Sequence, residues 1–139
     1  METETKTDER RRGGDRRAGK TRVVIVDGHT LFRRGVRNIL ELENDIEVVG
    51  EAGNGQEAVQ RYAELRPDVM TLDITMPEKD GISALKEIIA SDPGAKVVMC
   101  SALGQESKVL ESIKLGARDF VVKPFQPDRV LDAVSKALA

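Results

Sequence analysis

The sequence predicts an α/β domain in which five parallel strands form a doubly wound sheet with five helices on its two faces. Short apolar runs rich in β-branched residues alternate five times with stretches whose apolar residues recur at helical spacing. The apolar runs are nearly continuous, which is typical of strands covered by helices on both sides after right-handed crossovers. The 139 residues suffice for one such domain and hardly for two.

Each apolar run has the length of a strand, and each helical stretch has apolar residues three or four apart. In chain order the predicted strands are residues 23–26, 46–49, 69–72, 97–100 and 120–122. The apolar residues of the helical stretches are Leu31, Phe32, Val36, Ile39 and Leu40; Ala58, Val59, Tyr62 and Leu65; Ile82, Leu85, Ile88 and Ile89; Val109, Leu110 and Ile113; and Val130, Leu131, Val134 and Leu138.

Residues that start or stop helices lie at the boundaries of these stretches. Helix starts are predicted at Thr30, at Asn54 or Gly55, at Asp80–Gly81 and at Pro127–Asp128. Glycines favour helix ends, so the third helix is predicted to end near Gly94 and the fourth near Gly116.

Residues 1–21 are predicted to form a disordered, charged tail, and residues 22–139 one folded domain. The tail holds seven basic and five acidic residues and, after Met1, no aliphatic side chain larger than alanine, so it cannot bury enough surface to fold. The remaining 15 basic and 19 acidic residues give the domain a net charge of −4, which excludes the basic footprint of a nucleic-acid-binding domain. We expect no output domain after the fifth helix, where the sequence ends.

The composition excludes several other classes of protein. No apolar run approaches the ~20 residues of a membrane span, and the N-terminus is charged where a signal peptide would be apolar. We therefore expect a cytoplasmic protein that binds neither membrane nor nucleic acid directly. With one cysteine, Cys100, and one histidine, His29, the chain can form neither an internal disulfide nor a structural zinc site of cysteine and histidine ligands. Cys100 is interpreted as an inert buried thiol, and His29 as a packing or solvent-facing loop residue.

Four polar residues come at the ends of the first, third, fourth and fifth predicted strands. They are Asp27, Asp73, Ser101 and Lys123. Each alone has an ordinary interpretation, such as a helix cap or a solvated strand end. The carboxyl ends of parallel strands share one edge of the sheet, however, and ligands bind at that edge. Together the four residues predict a site that binds a cation and an anion at once.

This set of side chains points to phosphoryl transfer. Two carboxylates held close together repel each other, and either protonation of one or a metal ion relieves that repulsion. Oxygen ligands alone favour Mg²⁺ over zinc or copper. An aspartate beside such an ion, with a hydroxyl and an ammonium group aimed at the same place, is arranged as a nucleophile for a phosphoryl group.

The spacing of Asp27, Asp73 within LDITMPEKDG, Ser101–Ala102 and Lys123–Pro124–Phe125 resembles the receiver domain of two-component response regulators. The segments DITMPEKDG, CSALGQ and GARDFVVKPFQP are most similar to the single-domain chemotaxis regulators of that family. The resemblance implies a flavodoxin-like fold with strand order 2-1-3-4-5. It also implies a signalling protein rather than an enzyme, with at most Mg²⁺-dependent self-phosphorylation from small donors and self-dephosphorylation.

The resemblance further implies a role for each matched residue. Asp73 would be the phosphoacceptor, and Mg²⁺ would be held by Asp27, Asp73 and the backbone carbonyl of Thr75. Lys123 would pair with Asp73 before phosphorylation and with the phosphoryl oxygens afterwards. The Ser101 hydroxyl would bond the new phosphoryl group.

The resemblance also implies how the signal leaves the site. Phe120 takes the position of a switch aromatic that couples the site to the face of the fourth helix, fifth strand and fifth helix, although an ordinary core aromatic explains this position equally well. The Lys123–Pro124 peptide bond is expected to be cis. The implied partners are a sensor histidine kinase and a downstream protein such as a flagellar motor switch component. The chain would be a monomer or a weak dimer.

One residue departs from the family pattern. Receivers normally carry an acidic pair at the end of the first strand, and Gly28 stands at its second position. Losing a metal-binding carboxylate should weaken Mg²⁺ binding by at least ~10- to 100-fold, so we expect weak binding and slow phosphorylation. Glu78 in a following loop is a candidate substitute ligand. In the competing interpretation, Gly28 merely suits the turn into the first helix.

Three alternative functions stay open at this point. A metal-impaired pseudo-receiver would act as a constitutive protein-interaction module. The HTLFRRGV stretch is similar to that of DNA-binding regulators, from which the chain could be a receiver fragment. A phosphatase of the haloacid-dehalogenase kind is disfavoured, because Thr75 stands where a second aspartate is needed.

Overall fold

The computed structural model describes residues 19–139, so the predicted tail lies outside the described residues except for its last three. The strands are β1 (Thr21–Val26), β2 (Ile46–Ala52), β3 (Val69–Asp73), β4 (Val97–Ser101) and β5 (Asp119–Val122). The helices are α1 (Thr30–Glu41), α2 (Gly55–Leu65), α3 (Gly81–Ser91), α4 (Glu106–Leu115) and α5 (Pro127–Leu138). Among these helices none combines the length and the apolar character that a membrane crossing needs.

The five strands form one parallel sheet in the order β2-β1-β3-β4-β5, which confirms the predicted fold class and strand order. The strand order reverses beside β1, because β2 lies on one side of it and β3 on the other. The crevice beyond the strand ends at such a reversal is where this kind of sheet binds ligands. β1 begins at Thr21, whose backbone N–H donates to the Asp45 carbonyl at 2.8 Å, one residue before the predicted start of the domain at Arg22.

Helices cover both faces of the sheet because alternate residues of each strand point to opposite sides. Val24 and Val26 of β1 belong to the hydrophobic cluster that α2, α3 and α4 complete. Val23 and Ile25 belong to the cluster that α1 and α5 complete. All four side chains are at most 1% exposed, and each contributes about 1.5–3 kcal/mol through burial. These two clusters fix the strands whose ends carry the polar residues.

Several helix boundaries agree with the sequence signals. Asn54 is the N-cap of α2, and its side chain accepts a hydrogen bond from the Glu57 backbone N–H at 2.9 Å. Asp80 caps α3 in the same way through the Ser83 backbone N–H, also at 2.9 Å. Such caps satisfy backbone donors that the first turn of a helix leaves unpaired. Gly116 ends α4 with a φ of 121°, a conformation that favours glycine.

Two boundary predictions are wrong. Thr30 does not cap α1 but is its first helical residue, and the cap position belongs to His29, whose side chain makes no capping hydrogen bond. The third helix ends at Ser91 and not near Gly94. The Asp92 carboxylate accepts a hydrogen bond from the Gly94 backbone N–H at 3.1 Å, which closes a turn after the helix. Aspartate forms such turns with a backbone N–H two residues on, and here the turn separates the glycine from the helix end.

Two glycines bring the loop after β3 close to its neighbours. A Cβ atom on Gly81 would lie 2.1 Å from the carbonyl oxygen of Asp73, and one on Gly55 would lie 2.1 Å from that of Lys79. Neither distance leaves room for a side chain. The Gly55 backbone N–H donates to the Lys79 carbonyl at 2.8 Å. The loop that follows Asp73 is therefore fixed against the starts of α2 and α3.

Candidate functional site

The polar residues predicted at the sheet edge lie together there. Asp27 directly follows β1, Asp73 and Ser101 end β3 and β4, and Lys123 directly follows β5. The Lys123 Nζ atom lies 2.8 Å from Oδ2 of Asp27 and 3.4 Å from Oδ2 of Asp73. Ser101 is buried, and its carbonyl accepts a hydrogen bond from the Lys123 backbone N–H at 2.7 Å. Two buried carboxylates thus share one ammonium group.

Asp27 is held on three sides. Its Oδ1 atom accepts a hydrogen bond from the His29 backbone N–H at 2.8 Å, and its Oδ2 atom accepts one from Lys123. Its backbone carbonyl accepts a hydrogen bond from the Arg33 guanidinium at 2.6 Å. Arg33 is a residue for which the sequence analysis found no role. These bonds fix a carboxylate that is only 2% exposed, and they make Asp27 the nearer partner of Lys123.

The electrostatics of the site favour a cation. Burial raises the pKa of the Asp73 carboxyl group, and the nearby charge of Asp27 raises it further. Lys123 and a hydrogen bond from the Thr75 backbone act in the opposite direction, but they do not cancel the rise. The pair of carboxylates therefore carries more negative charge than the single ammonium group neutralises.

Three residues of the described chain form a group that can hold a metal ion. Asp27, His29 and Asp73 each offer one ligand atom, and these atoms all lie within 4.8 Å of one another. The two carboxylates fit Mg²⁺, a hard cation that is commonly bound through one or two carboxylates and waters. Glu78 lies outside this group. The histidine that the sequence analysis set aside has a ring that is 79% exposed, yet it reaches the group.

Gly28 supplies no ligand to this site, and the local backbone does not require a glycine there. Among the described glycines, only Gly104 and Gly116 have a positive φ. A Cβ atom on Gly28 would lie 3.3 Å from Cδ of Pro77, and the next atom would be 3.7 Å away. A side chain would therefore fit after a shift of a few tenths of an ångström. The turn into α1 thus accepts a glycine at this position but does not require one.

Phe32 supports the lysine of the site. The Lys123 Nζ atom lies 4.1 Å from the centroid of the Phe32 ring, which is within the range of a cation–π interaction. The Phe32 ring in turn packs against Phe125, with 5.4 Å between the centroids. Helical spacing placed Phe32 only among the apolar residues of α1, because a periodic pattern does not show which of them reach the sheet edge. The Lys123–Pro124 peptide bond is cis, as expected.

Gln105 joins the loops that follow β3 and β4. Its Oε1 atom accepts a hydrogen bond from the Ala102 backbone N–H at 2.7 Å, and its Nε2 atom donates to Oγ1 of Thr75 at 2.8 Å. Gln105 is also the N-cap residue of α4, but its side chain does not cap that helix. Gln105 is the last residue of the CSALGQ segment, but the resemblance assigned it no role, and its bond to Thr75 was not predicted. The amide ties the segment next to Ser101 to the segment next to Asp73.

Phe120 connects the site to an apolar groove. It is half-buried and packs against the cluster formed with α2, α3 and α4. The groove has a volume of about 320 Å³, and Phe120, Ser101 and Val109 are among its lining residues. Leu103 and Leu110, which also line it, are 80% and 60% exposed. The arrangement places one aromatic side chain between a residue of the site and an exposed apolar face.

Comparison with protein families gives one match that spans most of the chain. The family described as response regulator receiver domain matches residues 23–135. The match begins within β1 and ends within α5, so it reaches all five strands and includes the whole sheet edge described above.

Individual proteins show the same relationship. The chemotaxis protein CheY of Listeria monocytogenes is 56% identical over 116 residues, which are 84% of this chain and 97% of that protein. The chemotaxis protein CheY of Thermotoga maritima is 54% identical over 115 residues, covering 83% of this chain and 95% of that protein. A chain in the crystal structure of the CheX-CheY-BeF3-Mg²⁺ complex from Borrelia burgdorferi superimposes with a TM-score of 0.83 at 35% identity. That match covers 88% of this chain and 92% of the other.

Proposed function

Because the chain belongs to the response regulator receiver domain family and is closely related to CheY, we propose that Asp73 accepts a phosphoryl group from the phosphohistidine of a sensor histidine kinase. The observation that carries this proposal is the shared contact of Lys123 with Asp27 and Asp73 at the carboxyl edge of the sheet. The chain is a receiver of the chemotaxis type, and the phosphoryl group would be its signal.

In the proposed step an oxygen of the Asp73 carboxylate attacks the phosphorus atom. A new O–P bond forms, the N–P bond of the phosphohistidine breaks, and the imidazole leaves with the electron pair of that bond. Asp73 must be ionised to attack, so the Lys123 ammonium favours the reactive form against the burial that raises the pKa of Asp73. The product is an acyl phosphate, which water hydrolyses to restore the carboxylate.

Two further side chains would stabilise charge on the transferred group. Lys123 lies 3.4 Å from Asp73 and can turn from the carboxylate to a phosphoryl oxygen without leaving the edge. The Ser101 hydroxyl lies at the end of the adjacent strand and would donate to a second oxygen. Charged and neutral hydrogen-bond donors directed at the phosphoryl oxygens would both stabilise the negative charge that develops there during transfer.

Asp27, Asp73 and the backbone carbonyl of Thr75 are the proposed Mg²⁺ ligands. When bound, Mg²⁺ would neutralise charge on the phosphoryl oxygens. Gly28 adds no carboxylate to this set, and the Lys123 ammonium already lies 2.8 Å from Asp27. Both features support weak Mg²⁺ binding and, as a result, slow phosphorylation.

The signal would leave through Phe120 and the face formed by α4, β5 and α5. Phosphorylation would draw the Ser101 segment toward Asp73 and open space for the Phe120 ring, which changes the groove beside Leu103 and Leu110. A downstream protein such as a flagellar motor switch component would bind this face. The chain would act as a monomer or a weak dimer.

Intact-mass spectrometry after incubation with acetyl phosphate and Mg²⁺ tests the proposal. We expect the protein to gain the mass of one phosphoryl group and to lose it on treatment with hydroxylamine, which cleaves acyl phosphates. The Asp73→Asn variant should gain nothing, because an amide is not a nucleophile here. The matched control is Asp45→Asn, since Asp45 is exposed and far from the strand ends that carry the site.

Two results would contradict the proposal. A phosphoryl group that remains in Asp73→Asn would place the chemistry on another residue. No gain in the unmodified protein, together with a clear gain in Gly28→Asp, would mean that the metal site is disabled and that the chain acts as a constitutive interaction module.

A further inference from the structure

We propose that the imidazole of His29 is a third protein ligand of the cation held by Asp27 and Asp73, and that the site therefore prefers first-row transition dications such as Mn²⁺ over Mg²⁺. The inference rests on the metal site of the proposed function but not on phosphotransfer. Its test measures coordination in the absence of any phosphodonor.

The backbone fixes His29 beside Asp27. His29 is the N-cap residue of α1, and its N–H donates to Oδ1 of Asp27 at 2.8 Å. The Nδ1 atom of its ring lies 3.5 Å from the same oxygen. The other oxygen of Asp27 faces Lys123. One oxygen of the carboxylate is thus directed to the ammonium group, while the other remains next to the imidazole.

The ligand atoms of Asp27, His29 and Asp73 could bind one ion after a small movement of the His29 side chain. Ligand atoms around an octahedral ion with bonds of ~2.1 Å lie about 3 to 4.2 Å apart. The ligand atoms of Asp27, His29 and Asp73 already lie within 4.8 Å of one another. The two carboxylates are buried and held by hydrogen bonds, but the His29 side chain is 79% exposed and can move by the remaining fraction of an ångström.

Because residue 28 is a glycine, the site lacks one carboxylate ligand that His29 could replace. A glycine at this position leaves two carboxylates as the anionic ligands, and Glu78 does not join them. His29 makes no side-chain capping bond that would have to break for its ring to turn toward the ion. An imidazole nitrogen therefore takes the place of an oxygen ligand in this chain.

The change of ligand type changes the preferred metal. Mg²⁺ selects oxygen ligands and exchanges its waters reluctantly, whereas imidazole is a usual ligand of the later first-row metals. Mn²⁺ also suits oxygen ligands, but it accepts an imidazole nitrogen more readily than Mg²⁺ does. A mixed set of two carboxylates and one imidazole should thus discriminate against Mg²⁺. Metal preference would follow the side chain of residue 29 rather than the number of carboxylates alone.

Pulsed electron paramagnetic resonance of bound Mn²⁺ tests this assignment directly, because coupling to an imidazole ¹⁴N reports coordination. His29 is the one histidine in the chain, so an imidazole signal can come from no other residue. At mildly alkaline pH we expect clear ¹⁴N coupling in the unmodified protein and none in His29→Gln. We also expect His29→Gln to weaken Mn²⁺ binding by roughly tenfold, and Mg²⁺ binding by less than about twofold.

The Asp73→Asn variant identifies the site at which the ion is bound. Loss of both Mn²⁺ binding and ¹⁴N coupling in this variant would support the shared site, whereas coupling that persists would mean that His29 binds metal elsewhere and would overturn the proposal. Mn²⁺ that binds through Asp73 without ¹⁴N coupling would overturn it as well. Either negative result leaves the mass-spectrometric test of phosphorylation unaffected.

Discussion

Asp73 and Asp92 lie at opposite ends of the parallel strands, and their pKa values are shifted in opposite directions. At the carboxyl edge, burial and the neighbouring charge of Asp27 raise the pKa of Asp73. At the other edge, where helices end and strands begin, a hydrogen bond from Tyr62 lowers the pKa of Asp92. The Tyr62 hydroxyl donates to Asp92 at 2.6 Å, and Arg66 lies 3.4 Å from the same carboxylate.

The opposite pKa shifts of Asp73 and Asp92 distinguish a carboxylate that stabilises the fold from one whose charge is left uncompensated. Asp92 has a donor and a cation and is partly solvated, so its charged form is stabilised by folding. Asp73 shares one ammonium group with a second buried carboxylate, so its charged form is incompletely compensated. Perturbed carboxylates of this second kind are typical of functional sites. The uncompensated negative charge favours a metal ion at this edge, and in the proposed function the Asp73 carboxylate is the nucleophile.

Removing the shared cation should have the largest effect on the carboxyl edge. Lys123→Met deletes the ammonium group that would stabilise the phosphoryl oxygens, so we expect phosphorylation by acetyl phosphate to slow by roughly 10²-fold. The same change removes a positive charge beside two carboxylates and should strengthen Mg²⁺ binding. Rates from intact-mass spectrometry and Mg²⁺ titration by calorimetry measure the two effects.

The matched control for Lys123→Met replaces a different lysine with methionine. Lys136→Met alters an exposed lysine of α5, 67% exposed, and should leave both quantities unchanged. A rate for Lys123→Met within about twofold of the unmodified protein would show that the ammonium group has no part in the transfer.

Restoring a carboxylate at position 28 should have the next largest effect. Gly28→Asp adds an anionic ligand at a position where the tightest contact of a Cβ atom is with the Pro77 ring at 3.3 Å, so we expect Mg²⁺ affinity to rise by at least roughly tenfold. Calorimetric titration measures the affinity. Gly28→Ala carries the same Cβ atom without the charge and should bind Mg²⁺ as the unmodified protein does. Equal effects of Ala and Asp would assign the gain to the backbone instead.

The fold was predictable from the sequence because its signals are redundant. Five apolar strands and five amphipathic helices alternate, and the buried residues of β1 are divided between both core clusters as a doubly wound sheet requires. The exceptions lie at the ends and edges of helices. Leu31 and Leu110 have helical spacing but are 77% and 60% exposed, because the spacing defines a face of a helix and not how far the sheet extends beneath it.

The site was predictable only in part. Strand ends can be read from the chain, so Asp27, Asp73, Ser101 and Lys123 could be placed at one edge. The supporting side chains could not, since Gln105 reaches Thr75 across 30 residues of sequence and no local pattern encodes that bond. His29 was set aside because a lone histidine gives no spacing signal and the sequence does not show which way its ring turns. In the structure the ring lies near the carboxylates of Asp27 and Asp73.

The smallest effect is expected at the opposite edge. Tyr62→Phe removes the donor that lowers the pKa of Asp92, so we expect the free energy of unfolding to fall by about 1 kcal/mol at neutral pH. A carboxyl group with a lowered pKa in the folded protein stabilises the fold above its ordinary pKa, and that stabilisation disappears as the pH falls through the lowered value. The difference between Tyr62→Phe and the unmodified protein should therefore shrink in acid.

Urea unfolding at neutral pH and at about pH 3 measures this difference, and a double-mutant cycle with Asp92→Asn isolates the pair. In the Tyr62→Phe background, Asp92→Asn should cost less than it does alone, because its main partner is already missing. Phosphorylation by acetyl phosphate should proceed at the same rate in Tyr62→Phe as in the unmodified protein. A slower rate would show that the two edges are coupled through α2 and α3, and the separation between a stabilising edge and a reactive edge would then fail.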